Sequence, residues 1–158
     1  MREWYAKLPF ALVALGLAGL GISSYLVLTH YGKKPIACAG VGECNYVNSS
    51  EYASVGGVPV SLLGLGMYVC LTVAAVYWSS RPQDETRMVA YWGLALAGAA
   101  YAGYLTYVEL EILHAICVWC VASAVVLTLS LLLSTAALFL VPENADVDVQ
   151  PRRRRRPA

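Results

Sequence analysis

The sequence predicts an all-α integral membrane protein: a four-transmembrane-helix bundle with a cysteine-bearing extracytoplasmic loop between the first two helices. Three observations predict it. Of 158 residues, 59% are hydrophobic and only 13% are charged, where soluble domains carry about 25% charge. Residues 9–29, 60–78, 88–108 and 116–140 contain no charged side chain, and each run, at about 19 to 25 residues, is long enough to cross the hydrocarbon core as a helix. The basic residues then collect at alternate ends of these runs, as membrane orientation requires. The expected layout is one membrane domain over 1–141, with helices at about 9–30, 59–79, 88–109 and 115–141 and an outer loop at 31–58, followed by a disordered basic tail at 142–158.

Arg2 and Lys7 precede the first run, Arg81 and Arg87 lie in the link between the second and third, and arginines 152–156 follow the fourth. With four spans these segments share one side, which the excess of positive charge makes cytoplasmic. On the opposite side Lys33 and Lys34 are balanced by Glu43 and Glu51, and a short turn carries Glu109 and Glu111. The expectation is a plasma-membrane protein with both termini in the cytoplasm and its cysteine-bearing face outside. The arginine run reads as a lipid-attracted anchor, worth about 1 kcal/mol per residue near anionic lipid, and not as a nucleic-acid site. The first run has too long an apolar part, and no small-x-small cleavage site, for a signal peptide.

Taken in order, the first helix is rich in small residues, Ala11, Ala14, Gly16, Ala18, Gly19 and Gly21, which allow close helix approach in lipid. The outer loop opens on the turn Gly32-Lys33-Lys34-Pro35 and carries Cys38 and Cys44 with two glycines between them. Residues 45–55 show a weak amphipathic pattern in Tyr46, Val47, Tyr52 and Val55, compatible with a short interfacial helix. Gly56-Gly57 breaks the chain, and Pro59 suits the first turn of the second helix. Gly93, Ala97, Gly98 and Gly103 repeat the small-residue pattern in the third helix. Cys70, in the middle of the second, reads as structural.

The chemistry-bearing pattern is Cys117-Val118-Trp119-Cys120 at the mouth of the fourth run. In a helix these cysteines fall at i and i+3, close enough for a disulfide, and the helix N-terminus favours thiolate. Cys38, Cys44, Cys117 and Cys120 all lie on the outward side, where disulfides persist. Two pairs allow a relay by thiol–disulfide exchange, from a loop pair that meets an outside partner to a fixed pair at the membrane. Static disulfides and a four-cysteine zinc site are the alternatives, leaving a structural or metal-handling membrane protein. A dithiol at the lipid boundary needs a lipid-soluble electron acceptor, and a quinone fits. Leu63, Met67 and Tyr68 in the second helix and Tyr101, Tyr104 and Tyr107 in the third could line its pocket, though such tyrosines also form interfacial belts. His114 reads as a solvated loop histidine, and Glu109 and Glu111 as solvated interface charges.

The order of these motifs resembles the vitamin K epoxide reductase family in its single-domain, four-helix form. The matching features are Cys38 and Cys44, Ser50 six residues later, the stretch Gly57-Val58-Pro59-Val60-Ser61-Leu62-Leu63-Gly64, and Ile116-Cys117-Val118-Trp119-Cys120. Oxidases of the DsbB type also have four helices and two cysteine pairs, but their CxxC precedes the second helix. The resemblance implies a bundle around a quinone of ubiquinone or menaquinone type, capped by the loop, with Ser50, Ser61 and Trp119 joining Leu63, Met67, Tyr68, Tyr104 and Tyr107 around it. It implies that Cys120 attacks the quinone, that Cys117 resolves the adduct, and that Cys38 and Cys44 bring electrons from a thioredoxin-like carrier. Vertebrate members carry Asn and Tyr where this chain has Val60 and Ala124. The expected role is therefore disulfide formation in exported proteins, with vitamin K epoxide reduction as the alternative. No thioredoxin-like domain follows the fourth helix, so a separate carrier is expected.

Overall fold

The computed structural model describes residues 2–33, 35–38, 42–81 and 84–140. Lys34 and the tail at 142–158, arginines included, lie outside the described residues. Helix α1 runs Arg2–Gly32, α2 Cys44–Ser49, α3 Val60–Ser79, α4 Glu85–Tyr107 and α5 Val118–Leu140, with a π-helical turn, Val108–Ile112, continuing α4. Four of these segments, Lys7–Gly32, Val60–Ser79, Glu85–Ile112 and Val118–Phe139, are long and apolar enough to cross a membrane. The protein is a four-helix integral membrane protein. Large apolar side chains such as Phe10, Leu28, Val73, Leu132 and Phe139 stand exposed on the outside, which is the arrangement lipid rewards and water penalises.

The helices close into a ring, α1 against α3 and α5, α4 against α3 and α5. Leu12, Tyr68, Leu71, Ala75, Trp78, Tyr91, Ala95 and Ala137 fill its centre. The tightest approach is between α1 and α3. A Cβ on Gly19 would collide with the ring of the buried Tyr68, and one on Gly16 with Thr72. Backbone proximity thus fixes where the Tyr68 ring lies. Not every small residue serves this purpose: Gly21, Gly93 and Gly103 face open space, while Gly98 meets Leu127 and Met67.

The outer segment is shorter in helix than the pattern over 45–55 predicts. After α2 the backbone turns extended at Ser50, whose hydroxyl accepts no helix role but donates to the Val47 carbonyl at 2.7 Å, a local bond that competes with helix propagation. A 3₁₀ turn, Glu51–Ala53, and a two-residue hairpin, Ser54–Val55 against Val58–Pro59, follow. Gly56 and Gly57, at φ +58° and +85°, make its turn, a conformation open to consecutive glycines.

Candidate active site

Helix α5 begins at Val118, so Cys117 immediately precedes its first residue and Cys120 lies in its first turn. Both are free thiols, Cys117 buried and Cys120 half-buried. The Cys117 carbonyl accepts the Val121 N–H at 3.0 Å, which sets the two sulfurs one turn apart on the same side. The neighbouring Cys120 side chain draws the Cys117 thiol below its usual range, helped by the N–H groups of Cys120 and Trp119 and opposed by burial and the Glu109 charge.

Cys38 and Cys44 form a disulfide. Its flanks are held firmly. Asn45 Oδ1 accepts the Ile36 N–H at 2.8 Å, the Tyr25 hydroxyl accepts the Ala37 N–H at 3.0 Å, and Trp119 Nε1 donates to the Ala37 carbonyl at 2.9 Å. Tyr25 and Trp119 also stack, with centroids 4.9 Å apart. The Glu43 N–H donates to the Ile116 carbonyl at 3.0 Å, tying the start of α2 to the chain just before Cys117. The consequence is that all four cysteines share one apolar cluster. Cys44 and Cys117 lie within it beside Leu26, Ile36, Val47 and Ala115, and Cys38 and Cys120 pack against it. Among the described residues no three His, Cys, Asp or Glu side chains gather as a metal site, and two sulfurs of the four-cysteine zinc alternative are already spent on each other.

A cavity of about 490 Å3 opens between α1, α3, α4 and α5 beneath the loop. Val47, Asn48, Ser50, Tyr52 and Ala53 of the loop cover it, and Cys120 is the one cysteine of the two pairs that lines it. Of the residues expected around a bound acceptor, Ser50, Ser61, Leu63, Met67 and Tyr68 line this cavity. Ser61 Oγ is buried there with no hydrogen-bond partner among the described residues. The Tyr68 hydroxyl is anchored on Ser123, 2.8 Å from its hydroxyl and 3.0 Å from its carbonyl. Three expectations change. Tyr104 and Tyr107 are exposed and do not line the cavity, whereas Tyr101 does. Trp119 is used on Tyr25 and Ala37, outside the cavity lining. The tyrosine spacing of three bears on the first change: each step falls about 60° short of a full turn at 3.6 residues per turn, so the three fan out over about 120° of the helix surface, and Tyr101 is the one that lines the cavity.

Glu109 was expected to be a solvated interface charge; it is 4% exposed and lines the cavity. The π turn carries it there. Its carbonyl accepts the Ala115 N–H at 3.1 Å, and its Oε2 accepts the Cys117 N–H at 3.2 Å. That N–H is one of the donors a helix N-terminus leaves unpaired. The carboxylate and the Cys120 thiol line the same cavity and interact electrostatically. His114, at φ +50°, makes the reversal that brings α5 back beneath the π turn, and its side chain is exposed. The sequence signal for Glu109 was faint: an acidic residue at the end of an otherwise apolar run, eight positions before the CxxC. Residues 10–135, from the early turns of α1 into the later turns of α5, match the model of the vitamin K epoxide reductase family.

Proposed function

The chain belongs to the vitamin K epoxide reductase family, and we propose that it oxidises a thioredoxin-like carrier and passes the electrons to a quinone, supporting disulfide formation in exported proteins. Its coarser character as a membrane thiol–disulfide oxidoreductase follows from the family. One observation carries the finer reading: Cys120 faces a large apolar cavity while Cys117, behind it, shares a packed cluster with the loop disulfide. The cavity suits a ubiquinone or menaquinone head group. Its walls are mostly aliphatic, and the unpartnered Ser61 hydroxyl supplies a donor to orient a carbonyl. Val60 also lines it, with an apolar side chain where vertebrate relatives carry Asn, which favours quinone over epoxide as substrate.

Each residue then has a task. Cys38, half-buried where Cys44 is fully buried, receives the carrier's thiolate, and Cys44 leaves as a thiolate beside Cys117. When Cys117 and Cys120 are joined, Cys44 attacks Cys117, releasing the Cys120 sulfur toward the cavity. The carrier's second thiolate displaces Cys38 from the mixed disulfide and the carrier leaves oxidised; the freed Cys38 then attacks Cys44, restoring the loop disulfide and releasing Cys117 as a thiolate. The pair Cys117 and Cys120, reduced again, gives up two electrons and two protons, and the quinone leaves as quinol. With the loop pair oxidised and the CxxC reduced, the protein is ready to reduce the acceptor. Purified protein should oxidise a reduced thioredoxin-like protein in the presence of a soluble quinone, with one quinol appearing per carrier disulfide formed. Stoichiometric zinc and no quinol would support the structural alternative instead.

We place this face outside the cytoplasm, on the strength of the basic link with Arg81 and Arg87 and the basic termini. After reduction, a membrane-impermeant maleimide applied to sealed cells should label Cys38 first and Cys44 more slowly, because Cys44 is 1% exposed. Labelling that begins only once the membrane is opened would reverse the topology.

A further inference from the structure

The reduced CxxC has a proton in the wrong place. A thiol is mostly protonated at neutral pH, so Cys120, the sulfur that must act at the cavity, carries a proton. Removing it calls for a base in contact with that sulfur, inside a site where water cannot be assumed. We propose that Glu109 is that base: its carboxylate takes the Cys120 thiol proton and hands it to the quinone oxygen. This rests on the quinone reading above. It goes beyond that reading by naming the proton carrier.

Three independent features point to it. Glu109 is buried at the outer end of a membrane-spanning segment, and a carboxylate in such a place is costly unless it has work to do. It stands on a π-helical turn, Val108–Ile112, a strained device that recurs at functional sites. Its Oε2 is held on the Cys117 N–H, at the start of the helix that carries Cys120, and it lines the same cavity as Cys120, which puts donor, carrier and acceptor in one chamber. The other titratable side chains around the cavity are Tyr52, Tyr68, Cys70 and Tyr101, with Cys117 behind, and no Lys or Arg lines it among the described residues. Glu109 is therefore the only strong enough base among these besides the cysteines themselves. The balance is complete. The Cys120 sulfur bonds to the quinone as its proton passes to Glu109. Cys117 then attacks the Cys120 sulfur, the new disulfide carries away the electron deficit, and the quinone retains two electrons. One proton reaches it from Glu109 and one from the medium, replacing the proton that Cys117 gives up on attacking.

The test is Glu109→Gln, which keeps an oxygen for the Cys117 N–H but cannot accept a proton. Quinol formation at pH 7 should fall at least about a hundredfold, the usual scale of general base catalysis, and recover as pH rises and hydroxide takes over. A second readout needs no quinone. In a Cys117→Ser background, iodoacetamide labelling of Cys120, located by peptide mass, reports its thiolate directly. Removing a neighbouring carboxylate charge should move that labelling to lower pH, so the sulfur ionises more readily while turnover collapses. Undiminished turnover in the Gln variant would reduce Glu109 to a cap for the Cys117 N–H. An unchanged or upward-shifted labelling profile would mean that no carboxylate anion sits on Cys120, and would also overturn the proposal. Should the Gln variant fail to fold, Glu109→Asp carries the test, with an intermediate rate and the parent's pH dependence expected; a rate as low as that of Glu109→Ala would count against the base. If the parent itself reduces no quinone, the quinone reading fails, and the labelling comparison still decides whether Glu109 governs the Cys120 proton.

Discussion

Cys120→Ser is expected to abolish quinol formation with every thiol donor, a loss on the order of 10⁴-fold or more, because the hydroxyl that replaces the sulfur is not a usable nucleophile at neutral pH. The position makes the loss unconditional. Cys120 is the cysteine of the two pairs that lines the cavity, and Cys117, fully buried behind it, cannot take its place. Cys117→Ser should be equally inactive in turnover but different in kind. It leaves Cys120 as a lone sulfur at the cavity, able to engage the acceptor with nothing to resolve the contact. A long-wavelength absorption band on adding quinone reports that state. The band in Cys120→Ser and its absence in Cys117→Ser would exchange the roles of the two residues.

The Cys38→Ala/Cys44→Ala variant separates the two pairs by the size of the donor. Turnover with a thioredoxin-like protein should drop by roughly a hundredfold or more, since the relay's pre-positioning of sulfurs is lost. Turnover with a small dithiol should largely survive. A bulky carrier is held off Cys117 and Cys120 by the clamped segment at Ile36 and Ala37 and by α2 above them, while a small dithiol can enter. The loop covers the cavity, so quinone affinity should weaken with both donors. Removing the disulfide also frees a short loop, worth about 2 kcal/mol in the unfolded-chain account, and the melting temperature should fall with it. Equal retention with both donors would show that the loop pair is no shuttle. Equal loss with both would make the disulfide a structural pin.

The parts of this protein that reached the page early are those written in one-dimensional pattern. Four charge-free runs can satisfy their backbone in lipid only as helices, so the spans Lys7–Gly32, Val60–Ser79, Glu85–Ile112 and Val118–Phe139 were legible from hydropathy alone. The two cysteine pairs, their common side and the family likeness were legible from spacing. The bonds that clamp the loop at Ala37 were not, because they join residues far apart in sequence: Tyr25 with Ala37, and Ala37 with Trp119 across 82 positions.

By itself the sequence determined a membrane bundle with redox-capable cysteines at one end. Only the tertiary structure decided which side chains meet there. Tyr101 faces the cavity and Tyr104 and Tyr107 do not, because rotation along α4 and the packing of its neighbours choose one face out of a spacing that serves several. Glu109 changed most. At the end of an apolar run a carboxylate reads as solvated, since burying a charge alone is so costly. The π turn and the reversal at His114 bring it under the start of α5, where the Cys117 N–H offers the hydrogen bond that makes its burial tolerable and Cys120 lines the same cavity. Those partners lie eight and eleven residues away along the chain and become its neighbours only when the fourth helix folds back against the third.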